Sequence, residues 1–194
     1  MRGNWTRIND ELGDESEQTM SRFTACLPFI LEKEGGKVDD PTDRGGRTAY
    51  GVTQRAFDDY LTTRALPHRD VWTIQPDEVA SVYYSDYWQK CPAGIVDKPL
   101  DLVMMDSAVQ HGPGRATKWL QTVIGATADG AYGPASQAAY AKALSAQGVM
   151  MLCDKIIALR VQFYAAIIAR DLSQMKYKNG WSNRIKSLQK EIAK

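Results

Sequence analysis

The chain has 194 residues, 44% of them hydrophobic, and a formal net charge of +1. That length suits one domain with at most a small accessory part. So small a charge excludes wholesale nucleic-acid binding, which needs a strong basic excess. The charge is nevertheless uneven: residues 1–17 hold two arginines against five carboxylates, and residues 172–194 hold six basic side chains against Glu191 alone. The basic tail reads as a solvated helix face, with attraction to an anionic polymer as the alternative.

Residues 1–18 are polar, acidic and without periodicity, and read as an N-terminal arm or a linker from something upstream. Ser21 is positioned to cap a helix whose apolar face is Phe23, Leu27, Ile30 and Leu31, with Pro28 kinking it and Gly35-Gly36 ending it just past Glu34. Residues 37–53 form a glycine-punctuated loop in which Thr48, Tyr50 and Val52 alternate as in a short strand or hairpin arm. Thr53 caps a helix through Ala56, Phe57, Tyr60 and Leu61, and Pro76 opens another. Tyr83, Tyr84, Tyr87 and Trp88 then cluster, either as core or as a wall on which a sugar stacks.

Pro99 opens Leu100–His111, apolar nearly all round, as a helix at the centre of a domain is. Gly112-Pro113-Gly114 stops it, and Arg115–Ile124 forms the next helix. Gly125–Gly133 is a turn-rich loop around Asp129-Gly130, and Pro134 opens a helix that Gly148 breaks. Val149–Ala169 is long and apolar but interrupted by Asp154, Lys155, Arg160 and Gln162, which makes it a buried helix and not a membrane span. Asn179-Gly180 reads as a turn before a last amphipathic helix through Trp181, Ile185, Leu188 and Ile192. The expected class is mainly α with a small irregular or β lobe.

Cys26, Cys91 and Cys153 are odd in number and far apart, as in a protein made in a reducing compartment. His68 and His111 are the only histidines and no metal-ligand spacing occurs, so neither a metal nor a cofactor is expected. No apolar run follows the early arginines as a secretory signal would.

The chemistry concentrates in Glu34–Thr53. A glutamate in the last turn of a helix meets the negative end of the helix dipole, which disfavours an ionised carboxylate. A carboxylic acid that keeps its proton can donate it to a leaving oxygen. A second carboxylate across the loop, Asp39, Asp40 or Asp43, would complete the pair that serves glycosidic bonds. Thr48 has a hydroxyl with which to hold a water.

The run Glu34-Gly35-Gly36-Lys37-Val38-Asp39-Asp40-Pro41-Thr42-Asp43-Arg44-Gly45-Gly46-Arg47-Thr48-Ala49-Tyr50-Gly51-Val52-Thr53 resembles the signature of glycoside hydrolase family 108, N-acetylmuramidases of phages and bacteria with a lysozyme-like helical fold. Asp106-Ser107-Ala108-Val109-Gln110-His111-Gly112, Lys118-Trp119-Leu120-Gln121 and Asp129-Gly130-Ala131-Tyr132-Gly133-Pro134 resemble the family's C-terminal half, a predicted peptidoglycan-binding region. That region is expected from about residue 97, packed into one unit that spans residues 19–194. The resemblance implies Glu34 as catalytic acid. Glu34 and Asp43 stand as far apart as the Glu and Asp of phage lysozymes, whereas Thr48 falls one residue nearer to Asp43 than the lysozyme Thr. Lys37 replaces the family's usual aromatic, and Ala49 and Gln110 stand where Asn is common.

On that resemblance, Glu34, Asp43 and Thr48 are the expected catalytic residues, with Tyr50, Gln110 and His111 lining the substrate. The expected activity is hydrolysis of the β-1,4 bond between N-acetylmuramic acid and N-acetylglucosamine, as a phage endolysin or a secreted antibacterial effector. A lytic transglycosylase and a non-catalytic wall-binding or tail component are the alternatives. The expected partner is the peptidoglycan glycan strand, with a holin, delivery or immunity protein beside it. The chain is expected to act as a monomer, made in the cytoplasm without a signal peptide and acting at the cell wall after assisted release.

Overall fold

A computed structural model describes residues 14–38 and 47–194. Its residues fall into two compact units divided between Trp88 and Gln89, some way before the boundary expected near residue 97. The fold is mainly α with one small three-stranded sheet, as expected.

In the first unit, α1 spans Asp14–Glu34. It starts well before Ser21, so residues 14–18 belong to a helix and not to an arm. It also runs on through Pro28, a position on its exposed side. Phe23, Leu27 and Ile30 form the buried stripe at helical spacing. Gly35, at φ +79°, ends the helix immediately after Glu34. Strand β1 (Lys37–Val38) pairs antiparallel with β2 (Thr48–Ala49), and β2 pairs with β3 (Val52–Thr53). Thr53 accepts a hydrogen bond from the Ala56 N–H and so caps α2 (Gln54–Thr63), which buries Phe57 and Leu61. Helix α3 (Pro76–Tyr83) begins with a capping box between Gln75 and Glu78 and passes into a π-helical turn, Tyr84–Trp88.

In the second unit, α4 (Leu100–His111) is buried at every residue from Leu100 to Ala108. It is the central helix. Around it lie α5 (Pro113–Ile124), α6 (Pro134–Gln147), α7 (Val149–Arg170) and α8 (Lys178–Ile192). Two expectations are corrected here. Helix α8 starts at Lys178 and runs through Asn179-Gly180, so no turn forms there. Helix α7 buries one face only, with Met150, Met151 and Val161 largely exposed. Arg160, read as an interruption of its apolar run, is fully buried. Cys26, Cys91 and Cys153 are free thiols in the core.

Arg160 is buried because Asp106 of α4 is. Both Asp106 and Arg160 are wholly shielded from solvent, and Arg184 of α8 nearly so. Arg184 Nε donates to Asp106 Oδ1 at 2.9 Å, and its Nη2 lies 2.8 Å from the same oxygen. Arg160 Nη1 lies 2.8 Å from Asp106 Oδ2 without the angle of a hydrogen bond, so that contact is Coulombic. Removing one partner of such a buried cluster leaves uncompensated charge, at a cost of about 3–5 kcal/mol. Asp106→Ala is therefore expected to lose stability on that scale in denaturant titration, whereas substitution of the exposed Asp154 in α7 leaves the midpoint within about 0.5 kcal/mol of the parent.

Candidate active site

Glu34 is half-buried at the C-terminal end of α1, where the chain turns into the small sheet. The strand expectation at Tyr50 is corrected: Tyr50 and Gly51 are the two-residue turn between β2 and β3. Both have positive φ, +52° and +76°, the sign a type I′ hairpin turn requires at both central positions. A tyrosine in that region is uncommon and strained. Two hydrogen bonds hold it there. The Tyr50 N–H donates to the Gly36 carbonyl at 3.2 Å. The Tyr83 hydroxyl donates to the Tyr50 carbonyl at 2.9 Å.

This turn is pressed against the acid. A Cβ on Gly51 would collide with the Tyr83 hydroxyl and stand 3.1 Å from Glu34 Cβ. Tyr87, in the π-helical turn, packs on Tyr83 with ring centroids 5.4 Å apart. Burial pushes the Tyr87 phenol above its ordinary pKa, and the charges of Asp86 and Glu34 push it further. Tyr83, Tyr87 and Gly51 thus join Glu34, and the sequence reading missed them as neighbours of the acid. The aromatic run pointed to the first two, but a helical period gives no sign of a π-helical turn. Tyr83 and Trp88 are almost wholly buried, Phe23 meeting Tyr84 and Trp88 edge-on, so most of the aromatic cluster is core.

Thr48 lies in β2, and its carbonyl accepts the Trp72 indole N–H at 3.2 Å. Arg47 stacks over Trp72 at 4.1 Å and pairs with Asp70. Ala49, where the family commonly has Asn, is completely buried, so that departure alters packing and not the site surface. Asp39, Asp40 and Asp43 lie outside the described residues.

Gln110 and His111 belong to the second unit, at the end of α4. His111 is ringed by Trp119, Phe163 and Tyr164 at centroid distances of 5.1, 5.3 and 5.2 Å, and shares a 3.0 Å hydrogen bond with the Tyr164 hydroxyl. Burial, then the nearby Arg160 and Arg115, lower its pKa to about 4. It is neutral at physiological pH.

With this geometry established, comparison with known proteins is decisive. Residues 27–112 match the family model for Glycosyl hydrolase 108, and residues 115–186 match a Predicted Peptidoglycan domain. The chain is a glycoside hydrolase whose segment 27–112 is similar to family 108. A solved structure of Brucella abortus SagA is similar to it, with a TM-score of 0.67 and 25% identity over 90% of this chain and 95% of that one. No curated protein sequence matches it. The hydrolase is lysozyme-like in fold and directed at peptidoglycan. Its glycosidase match continues beyond Trp88 to the end of α4, across the division between the two units.

Two expectations follow. Gly51→Ala forces a side chain onto Tyr83 and Glu34 and is expected to cost about 1–3 kcal/mol. At temperatures where it remains folded, its wall-hydrolysis rate falls below that of a Tyr83→Phe control. Because the unfolded chain binds a proton at His111 that the folded chain refuses, stability falls as pH drops from about 6.5 to about 4. His111→Phe is expected to flatten that part of the melting-temperature profile, which thermal scans across pH would show.

Proposed function

We propose that this hydrolase is an N-acetylmuramidase that cleaves the β-1,4 bond between N-acetylmuramic acid and N-acetylglucosamine, with Glu34 as general acid. The observation that carries this reading is the seat of Glu34: half-buried, at a helix end and against a strained turn whose Gly51 leaves no room for a side chain. Glu34 delivers its proton to the bridging oxygen as that bond breaks. The leaving sugar departs as an alcohol, and water adds at the anomeric carbon. Asp43, which falls between Val38 and Thr48 in the sequence, is the proposed stabiliser of the cationic sugar, with Thr48 positioning the water. Tyr50, an exposed residue in the turn whose Gly51 packs on Glu34, is the proposed sugar contact. Gln110 and His111 are proposed substrate contacts of the second unit. The enzyme acts on the wall as an endolysin or delivered effector after assisted release.

The test is mass spectrometry of fragments released from purified peptidoglycan by the native chain and by Glu34→Gln. The native chain is expected to yield fragments with a reducing-end muramic acid. Glu34→Gln is expected to lose on the order of 10²–10⁴ in rate, the usual contribution of a positioned acid. Fragments lighter by one water, with an anhydro end, would mark a transglycosylase. Undiminished release by Glu34→Gln would remove Glu34 from the chemistry.

A further inference from the structure

The second unit contains a cleft of about 720 Å³ that the proposed chemistry at Glu34 does not use. His111, Arg115, Lys118, Trp119, Asp129 and Gly130 line it. Two cations stand on its rim, one turn apart on α5. Both are exposed, and among the described residues neither forms an ion pair within 4.0 Å.

Both are nevertheless held in place. The Arg115 guanidinium lies 4.2 Å over the Phe163 ring. The Lys118 stem runs beneath the Gly125–Gly133 loop. A Cβ on Gly130, which has φ +88°, would come 3.2 Å from Lys118 Cε and 3.3 Å from the Gly114 carbonyl. That loop is fastened from below by the buried Gln121. Its Oε1 accepts the Gly130 N–H at 2.8 Å, and its Nε2 donates to Asp129 Oδ1 at 2.7 Å and to the Ala131 carbonyl at 3.0 Å. Asp129 Oδ1 also accepts the Ala131 N–H, so this carboxylate braces the loop. The cations are thus preorganised, and binding an anion costs less side-chain ordering than it would at two free lysines.

The field in the cleft has the matching sign. His111, at its inner wall, feels Arg160, Arg115 and Arg184 against Asp106, and Asp129 on the rim feels Lys118, so cations outnumber carboxylates around the cleft. Trp119, half-buried, offers an aromatic surface beside the charges. A positive, aromatic-sided cleft fits an anion attached to a partly apolar group.

We propose that this cleft is a subsite for a carboxylate of the wall polymer, held by Lys118 and Arg115 with Trp119 beside it. The proposal rests on the reading of the chain as a peptidoglycan hydrolase. Peptidoglycan presents carboxylates on its stem peptide and, where that peptide has been removed, on the lactyl group of muramic acid. A subsite here fixes the strand to the second unit by its charge rather than by its uncharged sugar backbone.

The test is calorimetric titration of the full chain at low salt with three small ligands. These are a disaccharide–tetrapeptide from peptidoglycan, the same disaccharide with a free lactyl carboxylate, and uncharged chitobiose. Lys118→Gln and Arg115→Gln are each expected to weaken a carboxylate ligand about tenfold, and added salt to weaken it in the parent. Chitobiose binding is expected to be unchanged. The ligand whose affinity the variants reduce identifies the carboxylate source. Equal affinity of parent and variants for both acidic ligands would overturn the proposal, as would an equal loss in Lys142→Gln, an exposed charge on α6. Wall hydrolysis by the parent is measured alongside. Cleavage with unchanged binding in the variants defeats the subsite alone, while absent cleavage with charge-dependent binding defeats the hydrolase reading and leaves the subsite standing.

Discussion

The second unit depends on one carboxylate. Asp106 lies in the middle of a helix buried on all sides, and taking its charge out of water costs several kcal/mol before anything compensates. The compensation comes from Arg160 on α7 and Arg184 on α8. The anion belongs to the segment that matches the glycosidase family and both cations to the segment that matches the peptidoglycan domain. A cut at Gly112, where the two matches part, would strand a buried carboxylate on one piece and two buried guanidiniums on the other. The segments are separate as sequence families, yet the last helix of one is a core element of the other's fold.

The first unit is governed by a different constraint. Glu34 needs a neighbour that approaches without filling the space in front of it. Gly51 meets that need, since no side chain fits between Tyr83 and Glu34. The turn that brings it there forces Tyr50 into a left-handed conformation, a strain on the order of 1–3 kcal/mol. The hydrogen bond from Tyr83 to the Tyr50 carbonyl offsets part of that cost. Strain, close approach and a desolvated phenol occur together around one carboxyl, a combination typical of sites that do chemistry.

Much of this was legible in the chain. The helix boundaries at Pro76, Leu100, Pro134 and Gly148, and the cap at Thr53, are written in local chemistry: a proline with no N–H to lose, a glycine with positive φ, a hydroxyl aimed at a free amide; α5 instead starts at Pro113, two residues before the expected Arg115. Glu34 at a helix end followed from Gly35 for the same reason. Long-range decisions were not legible. Asn179-Gly180 has the composition of a turn, but the helix that seats Arg184 and Leu188 in the core overrides that preference. Arg160 looked like a break in an apolar run because its partner lies 54 residues earlier in the chain. Tyr50 fitted the alternation of a strand, and only pairing across β2 and β3 makes it a turn. Gly51 carried no local sign of being wedged against Glu34, because that contact depends on where α1 and α3 end.

The Asp106 cluster also connects fold to function by its arithmetic. It places two guanidiniums around one carboxylate, and among the described residues Arg160 donates no hydrogen bond. His111, which its own burial and then the neighbouring arginines keep unprotonated, adds nothing to the positive charge of these guanidiniums. In a poorly solvated interior that charge is screened far less than it would be in water. It therefore reaches the inner wall of the cleft, whose outer rim carries Lys118 and Arg115. For the subsite proposed above, the packing of α7 and α8 against α4 adds buried guanidiniums behind the Lys118 and Arg115 of the rim.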